Sequence, residues 1–475
     1  MTKKTSPTIA CHMRPTSLYD EGFDYVLDAV QQRANVNTLF IDAFGAEFPL
    51  KDIASPENLP HHGLDLKLDP HASVNQIFFA PPEDLLKDVG FGISTPSDVR
   101  YAGKEIYKDF ARYRSERGIG MHARMIDPYY LKNKIQGWEN TCEVDHRGTA
   151  TQSPCFRNPI YREFCGRLAE YLVGRYDLDG YHWGTERNGP LTQTLLWRGE
   201  HRAFCFCPHC VAAGKEKGID AERARQGFAA LDRAIEDTDS REPLPQTLWR
   251  LFMHYPELLA WERLWAEGRE GMFGTIRDGV HAAKSEAKAG WHLWQYTASL
   301  DPFAVAATDY HALAAVSDYV KPCFYQDVAD KRFANPCTPR LLDNYLRGCE
   351  PESGLRFLQN FSGYGSAVSG PLDAPSFDPV AYVSQLTGIA HQKLERATNA
   401  CELWVGLGIA IGGEMNASEQ EIQETEDSAA AALANGADGL VFCREYQEMP
   451  FALLDAVGRG IRRSADISIP STAGV

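Results

Sequence analysis

The stretch Asp177-Leu-Asp-Gly-Tyr-His-Trp-Gly-Thr-Glu-Arg-Asn-Gly-Pro190 holds the carboxylate most open to chemistry. An apolar run ends at Thr185, Glu186 follows at once, and a Gly189-Pro190 turn fixes the loop behind it. A carboxyl so placed can protonate a leaving oxygen or draw a proton from water. The plainer alternative is an ion pair of Glu186 with Arg187, or a bond to backbone. A second acid follows another apolar run in Cys443-Arg-Glu-Tyr-Gln-Glu-Met-Pro450, which presents Arg444 and Glu445; there a charge favouring a helix start is the competing reading. Glu414 comes late after the run Gly406-Leu-Gly-Ile-Ala-Ile-Gly-Gly-Glu414.

Other run ends carry His12 and Arg14, Asp42, His122 and Arg124, His182, His292 with Trp294 and Tyr296, and Lys321 with Tyr325. Histidines, guanidinium groups and aromatics gathered in this way suit a ligand site. His12, Arg14, Asp42, His122, Arg124, His182, Arg187, His292, Trp294, Tyr325 and Arg444 are therefore expected to bind substrate, the alternative being polar caps between strand ends and loops. Aromatic faces stack on sugar C–H groups, but Trp183 and Trp294 also fit ordinary core packing. The rim arginines and Lys321 point to an acidic or sulfated ligand, unless each pairs with its own Asp or Glu. The histidines support a rival, a metal that activates water or polarises a carbonyl, though the first run offers no His-x-His pair. A non-catalytic, sugar-binding protein is a third reading.

Cys205-Phe-Cys-Pro-His-Cys210 places three thiols at metal-ligand spacing. A tetrahedral zinc on Cys205, Cys207 and Cys210 could be closed by His201, His209, Cys155 or Cys165. Reduced buried thiols, a loop disulfide or a redox motif are the alternatives.

The elements that carry these residues read as strands alternating with helices. Runs at 8–13, 38–43, 120–125, 180–185, 290–295, 318–324, 403–409 and 439–443 are the strands, and their number predicts a closed (β/α)8 TIM barrel of class α/β. Asn158-Pro159 opens a helix with Phe164, Leu168 and Leu172 on one face. Ser418 with Glu421 forms a capping box, and Asn435-Gly436 ends that helix. Phe451, Leu454, Val457 and Ile461 mark the last helix. One domain is expected over 1–475, with insertions at 44–105, 126–157, 187–255 and 325–380, all after strands and so on the face where barrel sites form. The first and last are dense in turn residues and read as ordered loops.

Composition narrows the partners. The chain has 475 residues, 44% of them apolar, so it can fill a large core. A net charge of −16 without Lys/Arg runs excludes a nucleic-acid face or an anionic membrane as the expected partner. The longest apolar run, at 403–411, is too short to span a bilayer, and no export signal is read at the start. A cytoplasmic location follows as an expectation, with most cysteines reduced; Cys11, Cys323, Cys401 and Cys443 read as small hydrophobes. A homo-oligomer is expected for a barrel of this kind.

The arrangement resembles the (β/α)8 glycoside hydrolases, in particular glycosidase-like barrels with a segment such as Gly184-Thr-Glu-Arg-Asn-Gly-Pro-Leu191 after strand four and a closing segment such as 436–449. The resemblance implies a glycosidase acting on a carbohydrate, with Glu186 as the acid/base and no cofactor for the chemical step. The commonest clan of such barrels has an Asn-Glu pair after strand four and a nucleophilic Glu at the end of strand seven, whereas this chain has Thr185 before Glu186 and only Glu414 near strand seven. Glu414, Glu445 and Asp42 are the candidates for the second carboxylate, in that order. A separation of about 5 Å would give retention and about 6.5–9.5 Å inversion. The cysteine cluster is similar to one that holds a structural zinc in some galactosidase barrels.

Overall fold

The computed structural model describes residues 6–45, 62, 76–82, 92–93, 101–127, 135–196, 203–293, 300–329, 340–365, 367–370, 376–411 and 417–467. Eight parallel strands close into a barrel: β1 (Thr8–Met13), β2 (Thr38–Asp42), β3 (Gly120–Asp127), β4 (Gly180–Thr185), β5 (Lys288–Leu293), β6 (Tyr319–Pro322), β7 (Glu402–Gly408) and β8 (Gly439–Cys443). They neighbour one another in chain order, and β1 closes the ring by pairing with β8 from Thr8↔Gly439 onward. The expected α/β class and barrel topology are what the chain forms.

These runs are apolar on both faces because both faces are covered. Inside, Phe40 stacks on His182 at 4.7 Å and on His122 at 5.1 Å, while Tyr319 stacks on Trp404 at 3.7 Å between ring centres. The barrel is therefore a packed core rather than a pore. Outside lie α1 (Phe23–Ala34), α2 (Ile106–Arg117), α3 (Pro159–Tyr176), α4 (Glu257–Ala283), α5 (Tyr310–Val316), α6 (Pro379–Glu395), α7 (Glu419–Ala434) and α8 (Phe451–Ile467).

The local signals act as their chemistry predicts. The Asn158 side chain accepts from the amides of Ile160 and Tyr161, with Pro159 as the first helical residue. Ser418 and Glu421 form a reciprocal box at the start of α7, and Gly436, at φ +100°, turns the chain into β8 as only glycine does readily.

The segments above the barrel differ in character. After β3 a short antiparallel hairpin pairs Cys142–Val144 with Ala150–Pro154. After β4 the described residues form the helices Pro190–Leu195, Pro208–Glu216, Ala221–Glu236 and Leu244–His254. The 325–380 segment, expected as loop, contains a helix at Pro351–Phe361, which its buried Leu355 and Leu358 anchor. No helix among the described residues is long and apolar enough to cross a membrane.

Candidate active site

Glu186 follows β4 directly. Side chains alternate along a strand, so Gly184 and Glu186 share the inward face while Trp183, Thr185 and Arg187 turn outward. Gly184 lacks the Cβ that would collide with His292 on β5, and the histidine ring fills that space. Its Nε2 lies 3.8 Å from Glu186 Oε1, and the Glu186 side chain is 24% exposed. The other face of His292 meets Lys321, whose Nζ lies 3.4 Å from Nδ1, donates to Tyr325 Oη at 2.8 Å and lies 3.2 Å from Cys323 Sγ. Lys321 is thus buried beneath the mouth and does not stand on the rim.

Arg187 points away from Glu186. Its Nη2 pairs with Asp127 at 2.8 Å, Nη1 meets the Pro154 carbonyl at 2.5 Å and Glu143 at 3.3 Å, and Nε donates to Thr185 Oγ1 at 3.2 Å. Its expected place among the sugar-binding residues gives way to a role as buried anchor. It ties the Glu186 loop to the end of β3 and to the hairpin, leaving Glu186 out of that ion pair. Burial lifts Glu143 to about 7 against the pull of Arg187.

On the opposite wall, Glu445 leaves β8 two residues beyond its end and is 2% exposed. One guanidinium nitrogen, Arg124 Nη1, donates to Glu445 Oε1 at 2.7 Å and to Asp42 Oδ1 at 2.9 Å. Burial raises Asp42 well above the ordinary carboxylate range, Arg124 opposes the shift, and the Glu445 charge adds to it. The other carboxylate oxygens, Asp42 Oδ2 and Glu445 Oε2, and Arg14 Nε are buried without a hydrogen-bond partner among the described residues. Arg444 reaches Glu448 at 3.3 Å, and its carbonyl lies 3.0 Å from His12 Nδ1.

The histidines do not form one ring at the mouth. β3 runs on to Asp127, so His122 sits near its lower end, with Nδ1 3.2 Å from Tyr319 Oη, and burial lowers it to about 3. His182 Nδ1 lies 3.2 Å from the same hydroxyl. Burial holds His12 and His182 well below the usual imidazole range, with nearby Arg124 and Lys321 adding to the effect. These are neutral rings packed inside the barrel. Trp183 packs outward against Phe273 and Trp291, as core packing predicts. Glu414, Trp294, Tyr296 and His201 lie outside the described residues.

Among the described residues, only Cys155, Cys205, Cys207 and Cys210 bring three or more metal-binding side chains together, with ligand atoms all within 4.8 Å of one another. Cys155 Sγ lies 3.5 Å from Cys210 Sγ and 3.4 Å from Cys207 Sγ. A tetrahedral ion with Zn–S bonds of about 2.3 Å sets its sulfurs about 3.8 Å apart, so the four thiols fit it closely. Hydrogen bonds from the other three sulfurs pull Cys207 far below the usual thiol range. His209 is exposed outside the cluster.

Asp127 and Glu143 escape a reading of strand ends, although Met125-Ile126-Asp127 continues the β3 alternation and was the available signal.

No protein-family model matches the chain, and no curated protein matches it. Solved structures similar to it include a beta-galactosidase from the Antarctic haloarchaeon Halorubrum lacusprofundi, at 13% identity and TM-score 0.48, over 98% of this chain and 59% of that one. A beta-galactosidase from Rahnella sp. R3 is similar at 12% identity and TM-score 0.47, over 98% and 56%. The catalytic domain of a beta-amylase from Paenibacillus polymyxa stands at 12% and 0.49, over 97% and 99%. The chain spans less than two thirds of the length of both beta-galactosidase chains. What the chain has in common with these glycoside hydrolases is the architecture of the (β/α)8 barrel.

Proposed function

We propose that the protein hydrolyses a glycosidic bond at the C-terminal mouth of its barrel, with Glu186 as proton donor and Glu445 as the opposing carboxylate. One observation carries the reading. Glu186 and Glu445 leave β4 and β8, which are four strands apart in either direction around the ring, and both emerge at the same end. Their surroundings differ as two roles require: Glu186 is part-exposed beside a histidine, whereas Glu445 is buried with its charge compensated by Arg124. Glu445 thereby takes precedence over Asp42, which burial favours in its protonated form. Arg14, buried with a free Nε at the mouth, suits an acidic or sulfated sugar. The metal-hydrolase reading loses support because His12 bonds to a backbone carbonyl and His122 and His182 to Tyr319, and among the described residues only the four cysteines bring three or more metal-ligating side chains together.

The test is a panel of neutral, acidic and sulfated glycosides, with product anomers followed by NMR. Release of a sugar with one defined anomer, insensitive to chelator, is the expected result. Turnover that disappears with chelator while the fold persists would move the assignment to the metal reading, and no release across the panel would remove it.

The four cysteines are proposed to hold a structural zinc that joins the hairpin end at Cys155 to the 205–210 segment. About one zinc per chain is expected by elemental analysis of protein purified without chelator, falling sharply in Cys155→Ala. Metal-free native protein would leave the cluster as packed thiols.

A further inference from the structure

His292 and Lys321 fit into notches left by two glycines. A Cβ on Gly184 would fall 2.4 Å from the Cβ of His292, and one on Gly406 would fall 2.6 Å from the Cε of Lys321, so the imidazole lies against β4 and the lysine chain against β7. Both side chains are buried.

Among the described residues no carboxylate lies within ion-pair distance of Lys321. Its ammonium has three N–H donors and no acceptor, and it has three neighbours: Tyr325 Oη at 2.8 Å, Cys323 Sγ at 3.2 Å and His292 Nδ1 at 3.4 Å. One donor is thereby available for each. Facing an ammonium, Nδ1 has only the role of acceptor, so the proton of the ring goes to Nε2. Nε2 is the nitrogen that lies 3.8 Å from Glu186 Oε1.

Two further groups approach the ring, and neither alters that assignment. Cys323 Sγ is 3.7 Å from Nδ1 and 3.5 Å from Nε2, nearly the same, so it sits beside the ring and not along either N–H direction. His182 stands edge-on with ring centres 5.9 Å apart, its Nδ1 engaged with Tyr319 and its Nε2 without a hydrogen bond among the described residues. The 3.8 Å contact is longer than a hydrogen bond, as contacts between catalytic groups often are before substrate arrives, and the part-exposed Glu186 is the side chain with room to close it. An imidazolium at this position would pair with Glu186 and hold it ionised, with no proton to give.

We propose that Lys321 is a positioning residue for the acid: it fixes His292 as the neutral tautomer with its proton on Nε2, and that N–H steadies one carboxyl oxygen of Glu186. When the Glu186 proton passes to the leaving oxygen, the same N–H stabilises the carboxylate that remains, and His292 itself gives up no proton. The tautomer stands on Lys321 alone; its part in turnover rests on the reading of Glu186 as proton donor.

Nitrogen-15 NMR of the full chain labelled in its 14 histidines tests it, with the His292 signal identified by its absence in His292→Gln or its shift in Glu186→Gln. At pH 7 the wild type is expected to show His292 neutral and protonated on Nε2. In Lys321→Met the proton should spread to Nδ1 or to both nitrogens, and turnover on a glycoside with a poor leaving group should fall about 10–100-fold, with a much smaller loss on an activated aryl glycoside. A proton on Nδ1 or an imidazolium in the wild type overturns the proposal, as does an unchanged His292 signal in Lys321→Met. Equal losses on the two substrates in Lys321→Met overturn the positioning role. Should that variant fail to fold, the wild-type signal decides. Equal losses in Glu186→Gln would instead remove the acid assignment while leaving the tautomer intact, so the two failures are distinct.

Discussion

Replacing Glu186 by Gln is expected to lower turnover by about 10²–10⁴-fold on a glycoside whose leaving group departs poorly, and by far less on an activated aryl glycoside. The amide keeps the size and the contact with His292 but has no proton to give. A good leaving group departs without protonation, so the two substrates separate general-acid catalysis from binding. Arg187→Met provides the contrast. Its guanidinium is committed to Asp127 and Glu143, so its loss should act on stability and loop position and reduce both substrates alike. An equal loss on both substrates in Glu186→Gln would remove Glu186 as the acid. No loss on either would remove the site.

Arg124→Leu should destabilise the protein by about 3–5 kcal/mol, measured by urea denaturation at pH 8, because it leaves buried carboxylates without their cation. The loss should shrink toward pH 5. Asp42 already titrates above its unfolded value of about 3.9, so the stability it contributes is complete below that pH and is lost as pH rises through the folded value. Removing Arg124 takes away the cause that lowers Asp42, raises its folded value further and so extends that loss to higher pH, which makes the variant's deficit larger at pH 8 than at pH 5. Adding Asp42→Asn should recover part of the loss, since a neutral amide needs no counter-ion. A change below about 1 kcal/mol at pH 8 would mean that water reaches these groups freely and that the mouth is wetter than their burial indicates.

The barrel was legible in the sequence because parallel strands covered on both faces read as unbroken apolar runs, and Leu403-Trp404-Val405 or Leu39-Phe40-Ile41 can be little else. Glu186 was legible because a carboxylate directly after such a run, before Gly-Pro, stands at a strand end. The histidines were harder. Period-two alternation tells that His122 and Arg124 face inward but not how deep each lies, and depth makes the first a neutral core ring and the second the partner of two acids. Arg187 was drawn to the site by its neighbour in sequence, whereas its partners Asp127 and Glu143 lie in β3 and a hairpin that only tertiary packing brings near.

The ring is closed by its first and last strands, β1 against β8. At a synthesis rate of about 5–20 residues per second, Gly439 follows Thr8 by some tens of seconds. Through that interval β1 has β2 on one side and an open edge on the other, a template for any other extended chain. Strand β8 covers that edge and brings Glu445 two residues behind it, so a truncated nascent chain has neither a closed barrel nor the pairing of Glu445 with Arg124. The open edge of the first strand is the exposed feature of an unfinished barrel, and expression at low temperature or with a holding chaperone should raise the yield of closed barrel.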